Sequence, residues 1–157
     1  MKRFQLAFRI LSILLFGLPT LFAGSLMAQT NAPAAPAAAT ATLTVHVNGI
    51  RNATGKIHLA LFRDSIAVDK RDLDIAPKTH SAAVVFEKIP QGTYAVYLIH
   101  DENMNGKLDM DEMGMPLEGY GMSNNPPRRE GKPGFDETNF KVANPEVSIE
   151  INMIYWQ

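Results

Sequence analysis

The sequence predicts an all-β domain, built as an antiparallel β-sandwich. Short runs in which apolar and polar residues alternate recur between residues 43 and 154, as expected for strands with one buried face. Glycine, proline and asparagine separate these runs, and little of the chain shows the period of an amphipathic helix. Many short strands joined by turns are typical of two packed sheets.

Two alternating runs open the domain, at residues 43–47 and 56–61, and a gap rich in turn residues separates them. We predict two half-buried strands that pair as a hairpin. In such a hairpin His46 and His58 would lie opposite each other on the outer face, near enough to share a transition metal. Two histidines alone make a poor metal site, and solvated histidines are the favoured interpretation.

Three further strands are predicted, at residues 82–86, 93–100 and 147–154. The run 93–100 is apolar and aromatic on both faces, as expected for a central strand. The last run alternates again, with its apolar residues on one side. Residues 62–73 carry a weak pattern, so a short helix and an irregular edge segment are both compatible with them.

Residues 101–112 match the calcium-loop pattern D-x-[DN]-x-[DN]-G-x5-E at every required position. The glycine at loop position 6 allows a sharp turn, and a glutamate at position 12 can close the site with two oxygens. All donors are hard oxygens, which favour Ca²⁺ over zinc or copper. The predicted ligands are Asp101, Asn103, Asn105, Lys107 through its backbone carbonyl, Asp109 and Glu112.

The surroundings of this loop differ from those of a helix-loop-helix calcium sensor. A predicted strand precedes the loop, and Gly114 and Pro116 follow it, so no flanking helices are expected to change their angle. We therefore expect bound calcium to stabilise the strand end and to order the segment after it. The alternative is a plain Asn-Gly turn, since that pair also favours hairpins.

The first 28 residues are predicted to be a secretory signal peptide, because basic residues precede a short apolar stretch and small residues follow it. Cleavage after Ala28 is preferred, Ser25 is the competing position, and a retained anchor is the alternative. Residues 29–40 are a predicted Ala/Pro-rich linker, and residues 41–157 form one domain. The expected location is the periplasm or outside the cell, with no membrane span in the mature chain.

The mature chain is expected to be acidic. Loss of the three basic residues of the signal leaves 12 basic and 16 acidic residues, a net charge of about −4 with neutral histidine. Nucleic acid and anionic membranes require a basic surface, so neither is an expected partner. The chain contains no cysteine, which excludes disulfides and a lipid anchor on cysteine.

Residues 119–127 are predicted to be a loop with a glycine-bracketed aromatic residue, two amides and two prolines. Long loops often carry function. As a binding loop, Tyr120 would stack against a glycan or peptide, and Asn124 and Asn125 would supply hydrogen bonds. The alternative is that Tyr120 and Met122 fold inward and cover the core.

Enzyme signatures are missing from the sequence, which has no cysteine nucleophile, Gly-x-Ser-x-Gly elbow, Gly-rich phosphate loop or His-Glu-x-x-His motif. We therefore expect no enzymatic activity. His100 is expected to orient a carboxylate of the calcium loop or to end its strand. Five methionines between residues 104 and 122 raise the alternative of Cu(I), although gap filling is the commoner use of methionine.

The segment Ile89-Pro90-Gln91-Gly92-Thr93-Tyr94 resembles the Pro-x-Gly-x-Tyr corner of transthyretin-like and carboxypeptidase-regulatory-like β-sandwich domains. More closely, residues 100–109 and 114–125 are similar to a family of small secreted bacterial proteins, domain of unknown function 2141. The resemblance covers residues 43–155, with Met122 where phenylalanine is expected. It implies a transthyretin-like or immunoglobulin-like β-sandwich and export, and it implies no activity.

These features together predict an exported calcium-binding β-sandwich module of the cell envelope. Its expected role is structural or binding and non-catalytic, with an envelope protein or a glycan as partner. The alternatives are a periplasmic glycan- or peptide-binding protein that uses residues 119–127, and a calcium-dependent hydrolase.

Overall fold

Two β-sheets enclose the core in the computed structural model, which describes residues 39–129 and 131–156. The prediction of an all-β sandwich is confirmed, since strands dominate these residues and their one α-helix has four residues. The elements are β1 (Thr40–Asn48), β2 (Lys56–Arg63), β3 (Ile66–Leu73), β4 (Ala82–Pro90), β5 (Gly92–Asp101), β6 (Gly119–Met122), α1 (Phe135–Thr138), β7 (Phe140–Val142) and β8 (Glu146–Asn152).

The smaller sheet has the strand order β4-β1-β8, and the larger has the order β3-β2-β5-β6, with β7 paired to the beginning of β5. One pairing departs from the antiparallel prediction. Strand β8 runs parallel to β1, with Thr42 beside Glu146 and Asn48 beside Asn152. Every other pairing between these strands is antiparallel.

The core lies between the two sheets and follows directly from the alternation in the sequence. Alternate residues of β1 and β2 are buried, whereas the residues between them face outward or lie at intermediate exposure. The apolar residues of β8 also share one side, as predicted. The largest fully buried apolar side chains are Tyr94, Phe86, Leu43, Ile57, Leu59, Leu61 and Ile151.

The predicted β1-β2 hairpin is wrong. Strand β1 belongs to the smaller sheet and β2 to the larger one, so the two strands face each other across the core. Alternation shows that a strand has one buried face, but it is the same for strands that pair edge to edge and for strands that pack face to face. His46 and His58 consequently lie on opposite outer faces of the sandwich, and they do not share a metal.

Most of the segment 62–73 forms an edge strand, β3, and an edge segment was one of the two predicted alternatives. Strand β2 continues to Arg63, a tight turn at Asp64 and Ser65 reverses the chain, and β3 pairs back along β2. Most residues of β3 are exposed. An edge strand with two solvated faces lacks the periodic apolar pattern by which strands are recognised.

Part of the predicted 119–127 loop is a strand, β6, which pairs with the end of β5. Its glycines are required by close packing: a Cβ on Gly119 would overlap the ring of Tyr155, and one on Gly121 would come within 2.9 Å of Ile151 Cγ2. Glycine is depleted in strands in general, which is why the sequence favours a loop here.

The tyrosine corner agrees with the resemblance on which it was predicted. Tyr94 is buried, and its hydroxyl donates a hydrogen bond of 2.7 Å to the carbonyl of Pro90.

The predicted signal peptide and nearly all of the predicted linker lie outside the described residues. Within the described part of the chain, no helix has the length and apolarity to cross a membrane.

Candidate metal loop and the adjacent cavity

The predicted calcium loop begins where β5 ends, at Asp101. The Asp101 side chain is fully buried, because the loop backbone folds over it. Its Oδ1 accepts a hydrogen bond from the N–H of Asn105 (3.0 Å), and its Oδ2 accepts one from the N–H of Gly106 (2.7 Å). Gly106 has a φ of 80°, which glycine adopts without strain. Asp101 therefore fixes the first half of the loop.

A second group, which the sequence did not indicate, holds the Asp101 carboxylate. His58 of β2 contacts Asp101 Oδ2 through Nε2 (2.9 Å) and Asp72 of β3 through Nδ1 (2.6 Å). Ionised carboxylates only accept hydrogen bonds, so both ring nitrogens donate when His58 is a cation. The hydrogen bond to Asp72 is the main reason that the pKa of His58 is raised, and Asp101 adds to it against the opposing effect of burial.

The ionised form of Asp101 is favoured even though the side chain is buried. Burial is the largest single influence and by itself raises the pKa of this carboxyl. The hydrogen bonds from Gly106, His58 and Asn105 together outweigh it, so the pKa lies below its usual value. The start of the loop thus holds a buried carboxylate whose charged form is favoured.

Three more predicted ligands converge on one point of the loop. Oδ2 of Asp109 accepts hydrogen bonds from Nδ2 of Asn103 (2.6 Å) and Nδ2 of Asn105 (2.8 Å). The first of these is the main cause that lowers the pKa of Asp109. The ammonium group of Lys107 lies 3.4 Å from the other Asp109 oxygen. The loop therefore brings three side chains within hydrogen-bond distance at the Asp109 carboxylate: Asn103, Asn105 and Asp109 itself.

Glu112 and Glu118 occupy very different places. The last part of the predicted loop belongs to a short hairpin, residues 109–117, in which Met110 pairs with Pro116. Glu112 lies exposed in the turn of this hairpin. Glu118 returns to the loop and is 5% exposed. Its two oxygens accept hydrogen bonds from the N–H groups of Glu102 (2.9 Å) and Asp109 (3.2 Å). Glu118 is thus the carboxylate that joins the two ends of the loop.

The sequence did carry a signal for Glu118. Gly114 and Pro116 indicate a chain reversal directly after the loop, and a reversal there returns the next acidic residue to the loop. The pattern-based choice of Glu112 assumed instead that a continuous loop of fixed length supplies every ligand. Glu112 as a ligand remains a prediction.

The oxygen donors of the candidate metal loop suit only a metal ion that binds uncharged amide and carbonyl oxygens as well as carboxylates. Within residues 39–129 and 131–156, no group of three or more His, Asp or Glu side chains is arranged to hold a metal ion. Amide and backbone oxygens must therefore complete any site in the loop, and Ca²⁺ accepts such ligands. The oxygen donors of the loop fit calcium in chemical type, whereas they do not suit a soft metal.

An ion pair ties the loop to the connection between β1 and β2. The guanidinium of Arg51 donates two hydrogen bonds to Glu102, at 2.7 and 2.5 Å, and Asn52 donates a third at 2.8 Å. The hydrogen bond from Arg51 is the main cause that lowers the pKa of Glu102. This bidentate geometry holds the second loop residue away from the candidate ligands.

His100 was expected to orient a carboxylate of the loop; it does not contact Asp101, but its Nδ1 lies 3.5 Å from Oε1 of Glu102. Its side chain points into the sandwich and is fully buried, with Nε2 2.8 Å from the carbonyl oxygen of Thr54 and Nδ1 2.9 Å from the hydroxyl of Tyr155. A carbonyl oxygen only accepts, so Nε2 carries a hydrogen. The alternative expectation, that His100 ends its strand, is not met, because β5 continues to Asp101. His58 is the histidine that contacts the Asp101 carboxylate.

A cavity of about 540 Å³ lies beside the hairpin, on the outer face of β5 and β6. Its floor consists of side chains that point outward from these strands, and the hairpin forms one wall. The floor contains Tyr97, Ile99, Tyr120 and Met122, and the hairpin wall contains Met110, Met113 and Met115. Arg129, Gly131, Lys132, Pro133 and Trp156 border the other side, opposite the hairpin.

Of the three residues predicted to bind a ligand, Tyr120 alone lines this cavity. Its hydroxyl accepts a hydrogen bond from Nε1 of Trp156 (2.9 Å). The Asn124 amide donates to the carbonyls of Glu137 and Asn139, and the Asn125 side chain bonds to the backbone of β8. The structure therefore does not bring the two amides together with Tyr120.

Comparison with known proteins adds a family and no activity. No curated protein and no solved structure matches the chain significantly. A family model described as "Uncharacterized protein conserved in bacteria (DUF2141)" matches residues 45–150, which include the larger sheet, most of the smaller sheet, the candidate metal loop and the hairpin. The chain therefore belongs to the DUF2141 family.

Proposed function

We propose that the protein is an exported, calcium-binding β-sandwich module of the cell envelope with a structural or binding role. The observation that carries this proposal is the buried, ionised Asp101 at the start of a loop rich in oxygen donors. Export to the periplasm or beyond rests on the sequence of residues 1–28 alone. An envelope protein or a glycan remains the proposed class of partner.

In this proposal calcium is held by Asp101, Asn103, Asn105 and Asp109 and by the backbone carbonyl of Lys107. Glu118 is the preferred closing carboxylate, because it is buried at the junction of the two loop ends while Glu112 is exposed. It would have to turn from its backbone partners to join Asp101 and Asp109 around the ion, since the three carboxylates are not so arranged in the described residues. Calcium would take the place of the amide hydrogen bonds that Asn103 and Asn105 now donate to Asp109, after each amide turns its oxygen inward. His58 would keep Asp101 oriented from the opposite side.

The ion is proposed to stabilise the fold and not to switch it. Two of the four ligand side chains in the loop are neutral amides, so the affinity should be that of weak extracellular modules, with Kd on the order of 0.1 to 1 mM. A ligand that binds only the native state then adds about 1 to 3 kcal/mol of stability at roughly 10 to 100 times Kd. No helix flanks the loop in the described residues, which supports a static role.

The proposal includes no intrinsic hydrolase or redox activity. Both nitrogens of the buried His100 are engaged, by Tyr155 and by the Thr54 carbonyl, so this histidine is poorly placed to exchange a proton with a substrate. The carboxylates near the loop are hydrogen-bonded to backbone or to cationic groups.

Isothermal titration calorimetry on the mature, chelator-treated protein tests calcium binding. We expect a single saturable heat with calcium. The melting temperature should rise by several degrees in about 5 mM calcium, which is roughly 5 to 50 times the expected Kd. Magnesium should give little heat, because it requires near-octahedral geometry and keeps its waters. The absence of any calcium heat at millimolar concentration, together with an unchanged melting temperature, would reject the proposal.

A further inference from the structure

The outer face of β5 and β6 is apolar where an antiparallel sheet normally meets water. Tyr97, Ile99, Tyr120 and Met122 form the floor of the cavity described above. An outward face of such a sheet is usually polar, whereas here Tyr97, Ile99 and Tyr120 are half-buried and Met122 is buried, as expected for the lining of a concave apolar site. The volume of about 540 Å³ lies within the usual range for sites of small ligands.

The hairpin wall suits an occupant of variable shape. Met110 and Met113 are 51% and 87% exposed, and with Met115 they border the cavity. Thioether side chains are flexible and adapt to different apolar surfaces. A wall of this kind fits an unbranched hydrocarbon chain better than a rigid ring system that demands one pocket shape.

The polar groups of the cavity do not favour a sugar. The hydroxyl of Tyr97 is bonded to Thr138, and the hydroxyl of Tyr120 is bonded to Trp156. The amides of Asn124 and Asn125 are bonded to backbone and do not line the cavity. A glycan requires many hydrogen bonds, and few groups remain here to make them.

The charged side chains that line the cavity within the described residues are cationic. Arg129 and Lys132 line the cavity, and no acidic residue of the described chain does. The ammonium of Lys132 lies 4.2 Å from the centre of the Tyr97 ring, so it stands directly above the apolar floor. The nearby Asp111 carboxylate is turned toward the N–H groups of Met113 and Met115, and Glu137 pairs with Arg129.

We propose that the cavity binds an anionic amphiphile. Its hydrocarbon chain lies between the methionine wall and the Tyr97, Ile99 and Tyr120 floor, and its carboxylate, or a comparable anionic headgroup, lies beside Lys132. This site is additional to the proposed calcium function. Without calcium the hairpin wall is expected to open locally more often, but it stays formed most of the time, so the cavity is retained in chelator.

The fluorescence of Trp156 provides the test, because it is the one tryptophan of the chain and it borders the cavity. The probe is decanoate, titrated below its micellar concentration in buffer with chelator, so that no calcium soap forms. We expect a saturable change in Trp156 emission with Kd on the order of 10 to 100 µM. Decanol should bind about 3- to 10-fold more weakly and decyltrimethylammonium more weakly still.

Two variant pairs locate the site. Lys132→Gln should weaken decanoate binding at least about fivefold and leave decanol unchanged, whereas Lys141→Gln, on β7 outside the cavity, should have no effect. Met113→Ser should weaken both ligands, and Met104→Ser, exposed in the loop away from the cavity, should weaken neither. All four side chains are exposed, so the fold should be kept.

Three outcomes would overturn the proposal. The first is no saturable emission change with decanoate up to about 1 mM, some tenfold above the expected range. The second is equal affinity for decanoate and decyltrimethylammonium, which would remove the charge argument. The third is an equal effect of the cavity variants and their controls, which would place binding elsewhere. None of these outcomes bears on calcium, because the titrations contain none.

Discussion

His58 is held between two carboxylates, and its Nε2 atom lies 2.9 Å from Oδ2 of the fully buried Asp101. The histidine comes from β2 and Asp101 from the end of β5, so this contact joins the two central strands of the larger sheet to the loop. A cationic His58 stabilises both the sheet edge at Asp72 and the loop.

His58→Gln should therefore lower stability in a pH-dependent way. The folded-state pKa of His58 is raised, so its contribution is fully present below the unfolded value of about 6.5 and is lost as the pH rises through the folded value. We expect a difference from wild type of about 0.5 to 1 kcal/mol at pH 5.5 that shrinks by pH 9. Urea unfolding with chelator measures it. A difference that grows as the pH rises would contradict the assignment.

The closing carboxylate of the calcium site can be identified by a pair of substitutions. Glu118→Gln should weaken calcium binding at least about tenfold, because it removes one of three negative charges of the proposed site. Glu112→Gln should leave the affinity within about twofold, since Glu112 is exposed in the hairpin turn. Calorimetry on both variants decides between them. Loss of binding in Glu112→Gln alone would restore the ligand set derived from the pattern.

Removal of calcium should loosen the loop and the hairpin before it opens the sandwich. Residues 109–117 are held by a few backbone hydrogen bonds, among them Leu117 N–H to the Asp109 carbonyl and Asp111 N–H to the Met115 carbonyl. Segments with few buried contacts open locally at low free energy. Amide hydrogen exchange should accelerate in residues 101–118 of the metal-free protein. Uniform acceleration in all strands would show that calcium acts on the whole fold.

Gly121→Ala should destabilise the sandwich by about 1 to 3 kcal/mol, because the added methyl group would lie 2.9 Å from Ile151 Cγ2 and 3.0 Å from Leu98 Cδ1. The matched control is Gly134→Ala, where the added methyl group would come no nearer than 3.9 Å to a Glu137 oxygen and the φ of −73° suits alanine. Chemical unfolding of both variants measures the difference. Equal stability of the two would mean that β6 tolerates a side chain at Gly121.

Local pattern was sufficient for much of the fold. The alternation in β1, β2 and β8 identified strands and their buried sides, because side-chain direction has a period of two whatever the partner strand is. The tyrosine corner was also predictable, since Tyr94 and the carbonyl that it contacts are four residues apart.

Non-local relationships were not predictable from one sequence. Nothing in the alternation of β1 and β2 states which sheet each strand joins, and the β1-β8 pairing connects residues that lie about a hundred positions apart. The same holds for the site. Asp101 was predicted from its motif. His58 contacts Asp101 only after the sheet has formed, and Glu118 contacts the backbone of Glu102 and Asp109 only after the hairpin has reversed the chain.

The parallel pairing of β1 with β8 has a consequence for folding order. Strand β1 is the middle strand of its sheet, and one of its two neighbours is the last strand of the chain. Contacts of such long sequence separation form late, because the entropy of closing the chain must be overcome first. A nascent chain that lacks β8 leaves one edge of β1 unpaired and the apolar side of that sheet incomplete. If the protein is exported as proposed, this delay would keep the smaller sheet incomplete until β8 has been synthesised, which favours the unfolded state that threading through a membrane pore requires.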